Sequence, residues 1–195
     1  GWDFVTGGKL GNRGSHWKQG DGVLLILLVV VFFGGAVGFF YFKSENPRKN
    51  LAILKSVQGN LFYPLKPEKG LTDLLNNSYI LVYFSAHWCG PCRAFTPELV
   101  NYYKTKKRCE NFEVVFVSRD SDSQAMMSYA IETGMPWLAI KFKAISASAI
   151  STFAGPGIPC LALLNRKGEL ISHSYVGTTY KGPHYVLEEL NRRLK

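Results

Sequence analysis

The stretch Tyr79–Cys92, YILVYFSAHWCGPC, decides the fold. Its first seven residues, Tyr79 to Ser85, form a nearly continuous apolar run of β-favouring side chains, which predicts a strand buried on both faces. Pro91 suits the first turn of a helix, where no N–H is needed. A helix is expected from about Pro91 to Lys107, with Phe95, Leu99, Tyr102 and Tyr103 at helical spacing and a kink at Pro97. Trp88-Cys89-Gly90-Pro91-Cys92 therefore falls at a strand-to-helix junction. Free backbone N–H groups and the helix dipole favour negative charge there, so the Cys89 thiol is expected to ionise below the usual value of about 8.5. Cys89 is the expected nucleophile. Cys92, one turn on, is the expected resolving thiol, attacking a mixed disulfide at Cys89 and releasing the reduced substrate. Pro91 rigidifies the short ring that the Cys89–Cys92 disulfide closes.

Working outward, Phe112 to Val117 reads as a second strand, and a helix over Ser123–Glu132 opens with a capping box of Ser121 and Gln124. Met126, Met127 and Ile131 on it read as core. Cys160–Asn165 and Glu169–Tyr175 read as strands joined by the turn Arg166-Lys167-Gly168. His184–Leu194 closes the chain as a helix with Val186, Leu187 and Leu190 inward. Strand, helix, strand, helix, then two strands and a helix imply an α/β domain with a central mixed sheet flanked by helices. No internal repeat is present.

WCGPC in this position resembles the thioredoxin superfamily. The surrounding residues are similar to the tryparedoxin and nucleoredoxin group: Tyr83-Phe84-Ser85-Ala86 before the motif, Arg93-Ala94-Phe95-Thr96-Pro97 after it, Phe112-Glu113-Val114-Val115-Phe116 with Ser118 and Asp120, and Met135-Pro136-Trp137-Leu138-Ala139. The resemblance spans about residues 57 to 193. It implies a thioredoxin fold and a cis-proline pair at Ile158-Pro159 facing the cysteines. It also implies a substrate groove built from Trp88, Gly90, Pro91, Ile158 and Pro159, around a redox-active disulfide between Cys89 and Cys92. No bound cofactor is implied; the partners are protein disulfide substrates and an upstream dithiol reductant. Three positions depart from the group. Gly90-Pro91 replaces the usual two prolines, Tyr83 stands where thioredoxins bury an acidic residue, and Cys160 follows the proline pair where Thr is usual.

Composition narrows the rest. The 195 residues, 47% hydrophobic and 19% charged, suit one folded domain with an extension and exclude a disordered chain. Four cysteines are too sparse for a disulfide-stapled miniprotein. The net charge of +9 comes from scattered basic residues. Only Lys104, Lys106, Lys107 and Arg108 cluster, at an expected helix end where cations complement the dipole, so nucleic acid is not an expected partner. A metal site is not expected, because no second Cys/His pair at ligand spacing accompanies Cys89 and Cys92. Cys160 reads as core and Cys109 as incidental, with a redox role for Cys160 as the alternative. His87 adjoins the motif and is a candidate to tune Cys89 or meet substrate, whereas His16, His173 and His184 show no partner. Asn76-Asn77-Ser78 is a glycosylation sequon if the domain enters a secretory lumen.

Val23 to Phe42 is an uncharged stretch of 20 residues, 17 apolar and three Gly, bounded by Asp21 and Lys43. A helix of that length spans about 30 Å, the thickness of a bilayer core, so one transmembrane helix is expected to precede the domain. The reading is a flexible tail over 1–22, the span over 23–42, a linker over 43–56 and the thioredoxin-like domain over 57–195. Lys9, Arg13 and Lys18 before the span against Lys43, Arg48, Lys49 and Lys55 after it leave orientation open. The extracytoplasmic (periplasmic) face is the expected side, since disulfide traffic is heavy there, with the cytoplasm as the alternative. The expected function is a membrane-tethered protein-disulfide reductase. An oxidase or isomerase using the same cysteines, or a redox-sensitive binding module without turnover, are the alternatives.

Overall fold

The computed structural model describes residues 47–68 and 73–194, together with two short strands, β1 (Phe32–Phe33) and β2 (Ala36–Val37). The chain divides into two units, Gly1–Ser44 and Glu45–Lys195. In the first, Phe32 pairs with Val37 and Phe33 with Ala36, antiparallel. These four residues lie inside 23–42, where the hydropathy predicts an unbroken transmembrane helix, and they are extended instead. Gly34-Gly35, between them in sequence, is a pair that weakens helices and favours tight antiparallel turns. The rest of 23–42 and the tail 1–22 fall outside the described residues. Among the described residues no helix is long and apolar enough to cross a membrane.

The second unit begins with α1 (Pro47–Val57), within the stretch expected as a linker. Asn50, Ile53, Leu54 and Val57 recur at helical spacing and are all buried. With only three apolar residues and a polar fourth, that stripe reads as linker until its partner surface is known. Then follow β3 (Leu61–Phe62), β4 (Tyr79–Ser85), α2 (Gly90–Lys106), β5 (Phe112–Ser118), α3 (Ser123–Glu132), β6 (Leu138–Ile140), α4 (Phe142–Ile145), β7 (Cys160–Asn165), β8 (Leu170–His173), β9 (Tyr175–Val176), β10 (Thr179–Tyr180) and α5 (Pro183–Arg193). Six strands make one sheet in the order β3-β6-β5-β4-β7-β8, with β9 and β10 as a separate pair. β4 runs parallel to β5 and antiparallel to β7, and β5 runs parallel to β6, so the sheet is mixed and β4 is central. This is a thioredoxin fold.

Alternation along the strands sorts the core into two faces. Leu81 and Tyr83 of β4, Phe112, Val114 and Phe116 of β5 and Leu161 and Leu163 of β7 pack with α2, α3 and α5. Ile80, Val82 and Phe84, Val115 and Val117, and Cys160, Ala162 and Leu164 pack with α1. Each such side chain contributes roughly 2 kcal/mol on burial, which is why β4, buried from Ile80 to Ser85, reads in the sequence as an apolar run rather than an alternation. Gly168, at φ +79°, lets the β7–β8 turn meet α1: a Cβ there would stand 2.5 Å from the Leu51 amide nitrogen.

Local readings shift in two places. The cap of α3 is Asp122 rather than Ser121: its side chain accepts from the Ala125 amide at 2.8 Å, and Ser121 donates to it at 3.2 Å. These donors, the amide first, hold its carboxyl below the usual range. The basic run at the end of α2 is not wholly solvated either. Lys107 Nζ lies 3.4 Å from the buried Glu113 carboxylate and donates to Asn77 Oδ1 and the Phe112 carbonyl. Tyr103 Oη donates to Glu113 at 2.8 Å, and burial followed by the carboxylate's charge pushes its phenol far up. The pair ties the end of α2 to β5. Replacing Lys107 with Met is expected to cost about 2 kcal/mol, because a buried carboxylate loses its counter-charge. Calorimetry checks this as a fall of about 6 °C in Tm, and an unchanged Tm contradicts it.

Candidate active site

β4 ends at Ser85, and the chain crosses Ala86, His87 and Trp88 before entering α2. The crossing is pinned at each residue: Cys89 N–H donates to Ala86 O at 3.2 Å, and His87 N–H donates to Asp120 Oδ1 at 2.8 Å. Ser118 Oγ donates to the other Asp120 oxygen at 2.8 Å. Cys89 is the N-cap of α2, in extended backbone, with Pro91 in the first turn as the sequence predicts. The Cys92 amide donates to Cys89 Sγ at 3.2 Å, so an N–H of the helix's first turn points at the sulfur expected to carry charge.

Cys89 and Cys92 are joined in a disulfide, Cα atoms 5.2 Å apart. Their exposures differ little in number but in kind: Cys89 retains 5% and lines a groove, whereas Cys92 retains none. The groove, of about 440 Å³, is lined by Trp88, Cys89, Gly90 and Pro91 on one side and by Ala154 to Ile158 on the other, with Phe84 and Arg119 between. Trp88 is 69% exposed, its indole N–H donating to the Arg119 carbonyl at 3.2 Å. The Ile158-Pro159 peptide is cis. Ile158 O approaches Cys89 Sγ to 3.7 Å; a disulfide sulfur has no proton to give, so in this state the approach is a contact rather than a hydrogen bond. Of the residues expected in the groove, Trp88, Gly90, Pro91 and Ile158 line it. Pro159 does not; its carbonyl is taken by Tyr180 Oη at 2.8 Å.

Tyr180 and Tyr175 form a strap that sequence reading misses. Their rings pack in a tilted arrangement 4.9 Å apart between centroids, and Tyr175 covers Gly155 so closely that a Cβ there would meet its ring at 2.4 Å. Cys160 lies on the opposite sheet face from Cys89 and Cys92 and is a free thiol. Burial pushes its pKa up, which disfavours the thiolate that exchange requires. Its neighbour His173 accepts the Tyr175 amide at Nδ1, leaving the Nε2 proton for Phe153 O at 3.1 Å. Cys109 is exposed and unbonded. The His87 ring pairs with Glu132 at 3.1 Å rather than with Cys89, and that bond, with Arg93 adding to it, holds the Glu132 carboxyl low. His184 pairs with Glu98 at 3.0 Å.

Beneath Cys92, where Tyr83 stands in place of a buried acid, lies a closed set of hydroxyls. Thr96 Oγ1 donates to Cys92 O at 2.8 Å, which leaves its lone pairs for the phenols of Tyr83, at 2.8 Å, and Tyr129. Ser85 Oγ then donates to Tyr129 Oη at 2.9 Å. Burial, reinforced by Tyr129, drives the Tyr83 phenol far above its usual range, so it stays a donor. Every member is neutral and partnered. Nothing in the one-dimensional pattern links residues 83, 85, 96 and 129, although Tyr83 and Thr96 both belong to the stretches quoted for the resemblance.

Comparison with known proteins agrees with this fold. A family profile described as thioredoxin-like matches residues 76–170. The chain is 46% identical to probable nucleoredoxin 1 of Arabidopsis thaliana over 120 residues, 60% of this chain and 20% of that one. It is 39% identical to tryparedoxin of Trypanosoma brucei brucei over 109 residues, 49% of this chain and 74% of that one. The structure of tryparedoxin I from Leishmania major superposes with a TM-score of 0.56 at 28% identity, covering 73% of this chain and 95% of that one. The chain spans between 13% and 27% of the length of the nucleoredoxins it matches.

Replacing Thr96 with Val keeps the shape and removes the hub of the hydroxyl set, orphaning the buried Tyr83 phenol. The expected cost is about 2 kcal/mol. Urea unfolding is expected to show a lower midpoint at unchanged slope; an unshifted midpoint means that the phenols find other partners.

Proposed function

We propose that this chain, which belongs to the thioredoxin-like family, is a thiol–disulfide oxidoreductase that reduces protein disulfides. One observation carries the reading: Cys89 sits at the N-cap of α2 with the Cys92 amide aimed at its sulfur, at the edge of a groove, while Cys92 is wholly buried behind it. An accessible, charge-stabilised thiolate backed by a shielded second thiol is the arrangement that two-step exchange requires.

In the dithiol form the Cys89 thiolate attacks one sulfur of a substrate disulfide. A Cys89–substrate bond forms, the substrate S–S bond breaks, and one substrate thiolate leaves. Cys92 gives its proton to the first substrate thiolate, directly or through water, and its sulfur attacks Cys89 Sγ, breaking the Cys89–substrate bond, forming the Cys89–Cys92 disulfide and releasing the second substrate thiolate. Two electrons pass from the dithiol to the substrate, with one proton from Cys92 and one from water, and a second dithiol protein must return the electrons. Trp88 and the Ala154–Ile158 segment frame the substrate on either side of Cys89. The hydroxyl set under Cys92 adds no charge, so the Cys92 proton leaves without a buried carboxylate to take it.

A membrane tether belongs to the same proposal and rests on the uncharged stretch 23–42. The extracytoplasmic side fits the chemistry, because stable disulfides concentrate there. The full chain is expected to stay with membranes on extraction with alkaline carbonate, and release into the supernatant contradicts the tether.

Replacing Cys92 with Ser is expected to abolish turnover with a protein disulfide such as insulin and to leave substrate covalently attached at Cys89, seen by mass spectrometry without reductant. Replacing Cys89 with Ser is expected to abolish both turnover and attachment. A Cys92→Ser protein that binds partners without a covalent bond supports a binding module instead.

A further inference from the structure

Arg119 lines the Cys89 groove, is exposed and has no carboxylate partner among the described residues. Every other lining residue is uncharged: Phe84, Trp88, Cys89, Gly90, Pro91 and Ala154 to Ile158 carry no ionisable group besides the sulfur itself. The nearby acids are committed elsewhere. Asp120 gives one oxygen to the His87 amide and the other to Ser118, and Glu132 is shared by His87 and Arg93. Apart from the Cys89 thiolate of the dithiol form, the groove therefore carries one fixed formal charge, the Arg119 guanidinium, which is positive at every accessible pH.

The backbone that bears this charge is held on both sides. Arg119 N–H donates to Ser85 O at 2.8 Å, and its carbonyl accepts from the Trp88 indole at 3.2 Å. The Cα is thus fixed to the same junction that fixes Cys89, while the guanidinium keeps its donors for an incoming group. An arginine without an ion pair and an exposed tryptophan lining the same groove suit a carboxylate carried on an apolar or peptide stem.

Resting on the exchange reading above, we propose that Arg119 sets substrate choice by engaging the carboxylate of an Asp or Glu that flanks the disulfide of a protein substrate. Trp88 covers the adjoining apolar part of that segment. The selectivity is electrostatic, so it raises the rate of encounter and fades with salt.

The test uses the full chain in its dithiol form and three synthetic disulfide-linked peptides, identical except for Glu, Gln or Lys beside the cystine. Single-turnover rates are quenched with acid and read by mass spectrometry. Each is divided by the peptide's rate with dithiothreitol, whose one charge is the attacking thiolate, to remove differences in intrinsic reactivity. The Glu peptide is expected to react about five to ten times faster than the Lys peptide at low ionic strength, with the ratio shrinking at high salt. Arg119→Lys is expected to keep that order, Arg119→Gln to bring the ratio near one, and Arg119→Glu to reverse it. Equal normalised rates in the unaltered chain, or an order that survives Arg119→Glu, overturn the role of Arg119 and leave the exchange reading standing. No reaction with any of the three peptides overturns the exchange reading and the selectivity with it.

Discussion

The amide of Cys92 pointing at the sulfur of Cys89 is the contact around which this domain is organised. It exists only if a strand stops at Ser85 and a helix starts at Gly90, with Cys89 in the extended conformation of a cap. That in turn needs a strand stiff enough to place the junction, and β4 is central in the sheet and buried from Ile80 onward. It also needs the opposite wall, where the Ile158 carbonyl reaches within 3.7 Å of the same sulfur. Sequence, sheet order and site chemistry meet at one atom.

Around that atom the protein keeps fixed charge away from the interior and at the rim. Behind Cys92 the buried polar groups are hydroxyls that satisfy one another, and the Tyr83 phenol is held protonated by burial. A neutral, closed network avoids the cost of an ionised group in a low-dielectric site, and the electrostatic help to Cys89 then comes from helix amides instead. The buried carboxylate that the domain does contain, Glu113, is paired with Lys107 and Tyr103. The rim has the opposite character, with Arg93, His87 and Glu132 linked together and Arg119 left open.

Much of this was legible in the chain. A long apolar run, a proline in the first helical turn and two cysteines three apart place β4, α2 and the reacting pair without reference to anything distant. Short strands such as β3 and β6 carry too few residues for a period to show, and α1 hides because its stripe has only Ile53, Leu54 and Val57 with Asn50. The cap of α3 moved by one residue because Ser121 and Asp122 are both good caps and only backbone geometry separates them. Arg119, Tyr180 and the Thr96–Tyr129 contact are invisible for another reason. Each matters through a neighbour more than 20 positions away in sequence, which only the folded sheet brings near. The short pair Phe32–Phe33 and Ala36–Val37, extended where hydropathy alone suggests helix, shows the same limit from the other side: apolar content says that a segment avoids water, and backbone preference says how.

The reduction potential of the Cys89–Cys92 pair addresses the central claim most directly. The protein would be equilibrated with glutathione buffers of graded ratio, trapped with an alkylating reagent and weighed to count free thiols. A single reversible two-electron transition near or below about −250 mV is the predicted result, placing the pair among reductants fed by an upstream dithiol. A midpoint above about −180 mV would make it a donor of disulfides, and the absence of any reversible transition would contradict a catalytic role for the pair.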